Sequence, residues 1–100
     1  MAGKFDGVIE AVRYKNKQII LVRAYERRGA TFSDSVLIDR KTLLDRLRQG
    51  KQFVVGTRER LRASTFKLGQ NVLLVRENDN EWIATRSDAA MDSLEGTPLL

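Results

Sequence analysis

The stretch from Gly7 to about Glu26 reads as a β-hairpin whose two faces are both largely apolar, and no other feature constrains the fold as tightly. Its turn is Lys15-Asn16-Lys17-Gln18, where asparagine tolerates the left-handed backbone of a tight hairpin. With Lys15 opposite Gln18, Tyr14 faces Ile19, Val12 faces Leu21, Glu10 faces Arg23 and Val8 faces Tyr25. That register sets an acid against a base and aromatics beside aliphatics, the favourable cross-strand pairs. The other face carries Ile9, Ala11 and Arg13 against Ile20, Val22 and Ala24. A sheet with one wet face alternates apolar and polar residues, and this one does not. The second face therefore needs a cover: a barrel closing on itself, a helix, or another subunit.

A second hairpin joins residues 71–76 to residues 81–86 through a two-residue loop at Asn78-Asp79. This sets Arg76 opposite Glu81, Val75 opposite Trp82 and Leu74 opposite Ile83. Slipping the register by one would oppose Glu77 and Glu81, which like-charge repulsion disfavours. Residues 35–38 and 52–57 read as two further strands. Between them the spacing predicts a helix over residues 41–49, capped by Asp39 and ended by Gly50, with Leu43, Leu44 and Leu47 on one face. So short a helix is marginal alone, and its leucines must pack on the sheet. The order is β-β-β-α-β-β-β: a mainly β chain (a β-rich α+β fold), built as a small antiparallel barrel or a strongly bent sheet. Residues 1–86 form one domain, and residues 87–100, small, polar and acidic, are expected to be a flexible tail.

The chain has neither cysteine nor histidine. This removes disulfides, thiolate metal sites and thiol nucleophiles, along with the commonest general base and metal ligand. Ser33-Asp34-Ser35 reads as turn chemistry rather than a nucleophile cluster. The acidic loop from Glu77 to Glu81 lacks the central glycine and closing glutamate of a calcium loop. The expectation is a non-enzymatic protein with no cofactor, no metal and no small-molecule substrate.

Charge points elsewhere. Lys plus Arg number 18 and Asp plus Glu 13, but three of the acids, Asp88, Asp92 and Glu95, lie in the tail with no basic neighbour after Arg86. Residues 1–86 thus hold 18 basic and 10 acidic residues, a formal +8. A basic body with an acidic tail fits nucleic-acid contact, with a free tail competing for the arginines. Arg58, Arg60 and Arg62 alternate, so a continuing strand would align them as a phosphate-binding stripe, with Lys67 following. The competing reading is an edge strand guarded by charge. Arg27 and Arg28 stand beside Gly29 and near Tyr25 and Phe32, as a stacking site for a single strand requires, unless both rings are core. On the helix, Arg40, Lys41, Arg46 and Arg48 read as its solvated face. Two partner classes follow: RNA or single-stranded DNA held by Arg58, Arg60, Arg62, Lys67, Arg27 and Arg28, or a second copy of the chain forming a homodimer over the apolar hairpin. The aliphatic runs Ile19–Val22 and Val72–Val75 fall far short of the ~20 residues of a membrane span. The opening residues lack the apolar run of a signal peptide, so a cytoplasmic protein without membrane contact is expected.

Overall fold

Asn16 (φ 53°) and Lys17 (φ 65°) both adopt the left-handed backbone, closing the first hairpin with a two-residue turn. They do so in a computed structural model that describes residues 5–29, 31–58 and 66–100. The turn joins β1 (Gly7–Lys15) to β2 (Gln18–Arg28). There follow β3 (Thr31–Phe32), β4 (Val36–Asp39), α1 (Arg40–Arg48), β5 (Phe53–Arg58), β6 (Phe66–Glu77) and β7 (Asn80–Ala84). The expected order holds, with the two-residue β3 added before the third long strand.

The strands form one open, strongly curled half-barrel in the order β3-β2-β1-β5-β6-β7, with β4 also on β2. Among the described strands every pairing is antiparallel but one: β1 and β5 run parallel over Gly7–Phe53, Val8–Val54 and Ile9–Val55. That parallel step is what α1 makes possible, since it carries the chain back to the starting end of β1. The helix keeps the flanking residues the sequence indicates and begins and ends one residue earlier than expected. Asp39 accepts a hydrogen bond from the Thr42 N–H at 2.8 Å, and Gly50 takes φ 86° beyond the last turn.

The first hairpin departs from the expected register at its centre. Its ends pair as anticipated, Val8 with Tyr25 and Tyr14 with Ile19. Between them Ala11 pairs Arg23, Val12 pairs Val22 and Arg13 pairs Leu21, with Glu10 and Ile20 bulged out. Two bulges, one on each strand, cancel in register but add twist, which curls the sheet. They also bring Ile9, Val12, Ile19, Val22 and Ala24 onto the concave side, all fully buried. The expected Glu10–Arg23 ion pair is not made; the Glu10 carboxylate accepts from the Tyr25 hydroxyl instead, at 3.3 Å.

The cover for the second apolar face comes from within the chain. Leu43 and Leu44 of α1, Phe53, Ile83 and Leu94 complete one continuous core inside the curl. On the convex side a smaller cluster of Val8, Tyr25 and Val54 is packed by Phe5, Phe32 and Phe66. Gly56 lets β5 and β6 approach at the point where the sheet bends, since a Cβ there would lie 2.6 Å from the Lys67 carbonyl oxygen.

Within residues 87–100, Asp92, Leu94 and the last three residues make contacts with the barrel. Asp92 is 4% exposed and Leu94 is buried beside it. The Asp92 carboxylate accepts from the Ile19 N–H (2.8 Å), the Ile83 N–H (2.9 Å) and the Arg40 guanidinium (2.8 Å). Farther on, the chain runs beside β1 beyond the point where β5 leaves it. There Val12 N–H donates to Pro98 O at 3.0 Å and Leu100 N–H to Val12 O at 2.8 Å. The physical reason is the half-barrel itself: an unclosed sheet leaves backbone groups that must find partners. No helix among the described residues is long and apolar enough to cross a membrane.

Candidate nucleic-acid interface

Alternation along β2 determines what stands where. Leu21, Arg23, Tyr25 and Arg27 share the convex face, and their cross-strand partners on β1 add Arg13, Ala11 and Val8 to it. At the far end of β2 the face becomes aromatic. Phe5 stacks on Phe32 with ring centroids 5.5 Å apart, Phe32 meets Phe66 edge-on at 5.0 Å, and Tyr25 meets Phe66 at 5.1 Å. The Arg27 guanidinium lies 4.7 Å above the Phe32 ring and its Nε donates to the Phe5 carbonyl at 2.7 Å. Cation–π contact and hydrogen bond together hold Arg27 in one orientation. Its two outer nitrogens remain without a hydrogen bond to any other described residue.

Behind Arg27 opens a cleft of about 430 Å³ where β2 ends at Gly29, which takes φ 63°. Its lining brings four cations, Arg27, Arg28, Arg46 and Lys51, together with two acids, Asp6 and Glu26. Both acids are already engaged. Glu26 accepts from Arg46 Nε at 3.0 Å, and Asp6 accepts from the Gln52 N–H at 2.8 Å. The side chains of Arg28 and Lys51 have no ion pair or hydrogen bond to any other described residue. The cleft therefore presents Arg28, Lys51 and the outer face of Arg27 to an anion, with its own carboxylates turned to other work. Lys51 reaches this place because the loop after α1 delivers it beside the start of β5, itself held parallel to β1.

Of the residues expected to bind, Arg27 and Arg28 meet in this cleft. Lys67 does not: it pairs with Thr57 and lines a separate recess of about 210 Å³ with Ile9 and Thr97. Neighbours on a strand face opposite ways, so Phe66 joins the convex aromatic cluster while Lys67 turns from it. Arg58 is the last residue of β5, its backbone opposite Phe66; Arg60 and Arg62 lie outside the described residues. Of the two rings expected as a stacking site, Tyr25 packs on Phe66 and is 8% exposed, while Phe32 packs between Phe5 and Phe66 and is half-buried. Phe5 and Phe32 support the Arg27 guanidinium.

Sequence reasoning missed Arg46 and Lys51 in the cleft and Arg13 and Arg23 on the convex face. The alternation Arg23-x-Tyr25-x-Arg27 was the available signal, masked by assigning Arg23 to Glu10. Arg40, read as solvated, is instead committed to the buried Asp92. Among the described residues no group of three or more acidic side chains is placed to hold a metal ion. No protein-family model, no curated protein and no solved structure matches this chain.

Proposed function

We propose that this chain is a non-enzymatic basic binding module that holds single-stranded nucleic acid, RNA or DNA, at its arginine-rich end. The observation that carries the reading is the convergence of Arg27, Arg28 and Lys51 on one cleft whose two carboxylates are occupied. Each guanidinium fork donates to two phosphate oxygens, and an ammonium adds a rotatable point charge. A flexible single strand suits the site better than a duplex. The apolar face of α1 is spent on the core, and no described helix projects as a reader of a major groove about 12 Å wide.

The test is titration of labelled oligothymidylate and oligouridylate at two salt concentrations. Binding should weaken steeply with salt, and Arg28→Ala with Lys51→Ala should flatten the dependence of log affinity on log salt by roughly 1.4 for the pair. Comparing the two oligomers separates DNA from RNA, because only the latter carries the 2′-hydroxyl. Absence of binding at low salt would overturn the reading.

A further inference from the structure

We infer that a single strand held in the cleft continues over the convex face of β1 and β2, with successive phosphates on Arg23 and Arg13. The inference rests on the cleft reading above and extends it along a track that the fold leaves open.

Arg27 forms both the rim of the cleft and the end of the convex face, so the two surfaces are continuous. From there the track follows β2. Arg23 stands four residues back, about 13 Å along the strand, and the Leu21 row that carries Arg13 lies about 7 Å beyond. Arg13 and Arg23 are exposed, and the side chain of neither makes an ion pair or hydrogen bond to another described residue. The acids nearest to them in register are otherwise engaged. Glu10 is bulged and accepts from the Tyr25 hydroxyl, and Asp39, opposite Leu21, accepts from the Thr42 N–H. Apolar surface alternates with these charges: half-buried Phe32 and Phe66 lie beyond Tyr25, and Leu37, paired with Arg23, is 59% exposed. A polymer of phosphates and flat bases matches that alternation, whereas a lone small anion would need only the cleft.

The decisive measurement uses a labelled decathymidylate and the full chain in three forms: unaltered, Arg13→Ala/Arg23→Ala, and Arg28→Ala/Lys51→Ala. The first pair should lower affinity about tenfold and reduce the salt slope by about 1.4, with Arg13→Lys/Arg23→Lys restoring most of it. Unchanged affinity in the Arg13/Arg23 variant, with loss in the Arg28/Lys51 variant, would overturn the track and leave the cleft standing. Loss only in the Arg13/Arg23 variant would do the reverse and remove the cleft. No binding by the unaltered chain defeats both. Polyglutamate of equal charge competing as well as oligonucleotide would assign the face to acidic protein segments and overturn the inference. Because both arginines are exposed and unpaired, matching thermal unfolding of the variant and the unaltered chain is expected, and it excludes misfolding as the cause of lost binding.

Discussion

Arg40 and Asp92, 52 residues apart, form an ion pair at 2.8 Å, the carboxylate buried and the guanidinium partly exposed, that fastens the open seam of the half-barrel. One Asp92 oxygen accepts from Ile19 N–H and Arg40 Nε, the other from Ile83 N–H and Arg40 Nη2. Arg40 Nη2 also donates to the Glu81 carbonyl at 3.0 Å. A single carboxylate thus ties β2, β7 and the first turn of α1 where no strand pairing joins them. Buried charge is tolerated here because the carboxylate is hydrogen-bonded on both oxygens.

Asp92→Ala should therefore cost about 2–5 kcal/mol of stability, since it leaves two buried backbone N–H groups, of Ile19 and Ile83, without an acceptor and removes the partner of the part-buried Arg40 guanidinium. Asp92→Asn should fall between, keeping one acceptor and losing the charge. Urea unfolding followed by tryptophan fluorescence reads both. A loss under about 1 kcal/mol would show that this segment is not docked on the barrel in solution.

The acids of the C-terminal segment are expected to leave nucleic-acid affinity alone. Asp88 pairs with Arg86 at 3.0 Å, Glu95 approaches the same arginine at 3.7 Å, and Asp92 is held by Arg40. Asp88→Asn with Glu95→Gln should change oligonucleotide affinity less than about twofold near 0.15 M salt, where exposed charges are screened beyond about 8 Å. A severalfold rise would instead reveal a free tail competing for the cationic sites.

Leucines of α1 should separate by burial. Leu43 is wholly buried in the core, so Leu43→Ala should cost about 2–5 kcal/mol. Leu47 only packs against that core from a half-buried position, and its replacement by Ala should cost less. Thermal melts of the two variants in the reverse order would contradict the placement of the helix.

Acid should destabilise the fold through three carboxylates, Asp39 and Asp88 exposed and Glu81 half-buried. The Thr42 backbone N–H holds the Asp39 carboxyl below the usual range, and the Arg48 guanidinium does the same to Glu81, with Arg76 helping. Arg86 likewise lowers Asp88. A carboxyl whose folded value lies below its unfolded one stabilises the fold fully above about pH 4 to 4.5, and that contribution fades as pH falls through the lowered value. The melting temperature should thus decline from pH 5 toward pH 3 at low salt, less steeply in Glu81→Gln. An equally steep decline in that variant would detach Glu81 from the effect.

Local physics was enough for part of this molecule. The second hairpin pairs Arg76 with Glu81, Val75 with Trp82 and Leu74 with Ile83, because its short loop and the repulsion between Glu77 and Glu81 leave one register. The helix follows from Asp39 and Gly50, whose capping preferences act within one turn, and the first turn follows from Asn16. Adjacent charges made Arg27 and Arg28 visible as well. Everything that depends on closing the sheet was beyond reach of the sequence. Glu10 and Ile20 bulge because the curl, rather than the pairwise chemistry of Glu10 with Arg23, determines which residues face the core. Lys51 and Arg46 join Arg27 and Arg28 only once β5 lies parallel to β1, a pairing between distant segments that no local pattern encodes. Asp92 reads as one acid of a flexible tail, yet its partners at Ile19 and Arg40 lie 73 and 52 residues away. Short-range steric and charge preferences specify turns, caps and hairpins, while burial is a property of the assembled whole, so the cleft and the seam belong to tertiary structure alone.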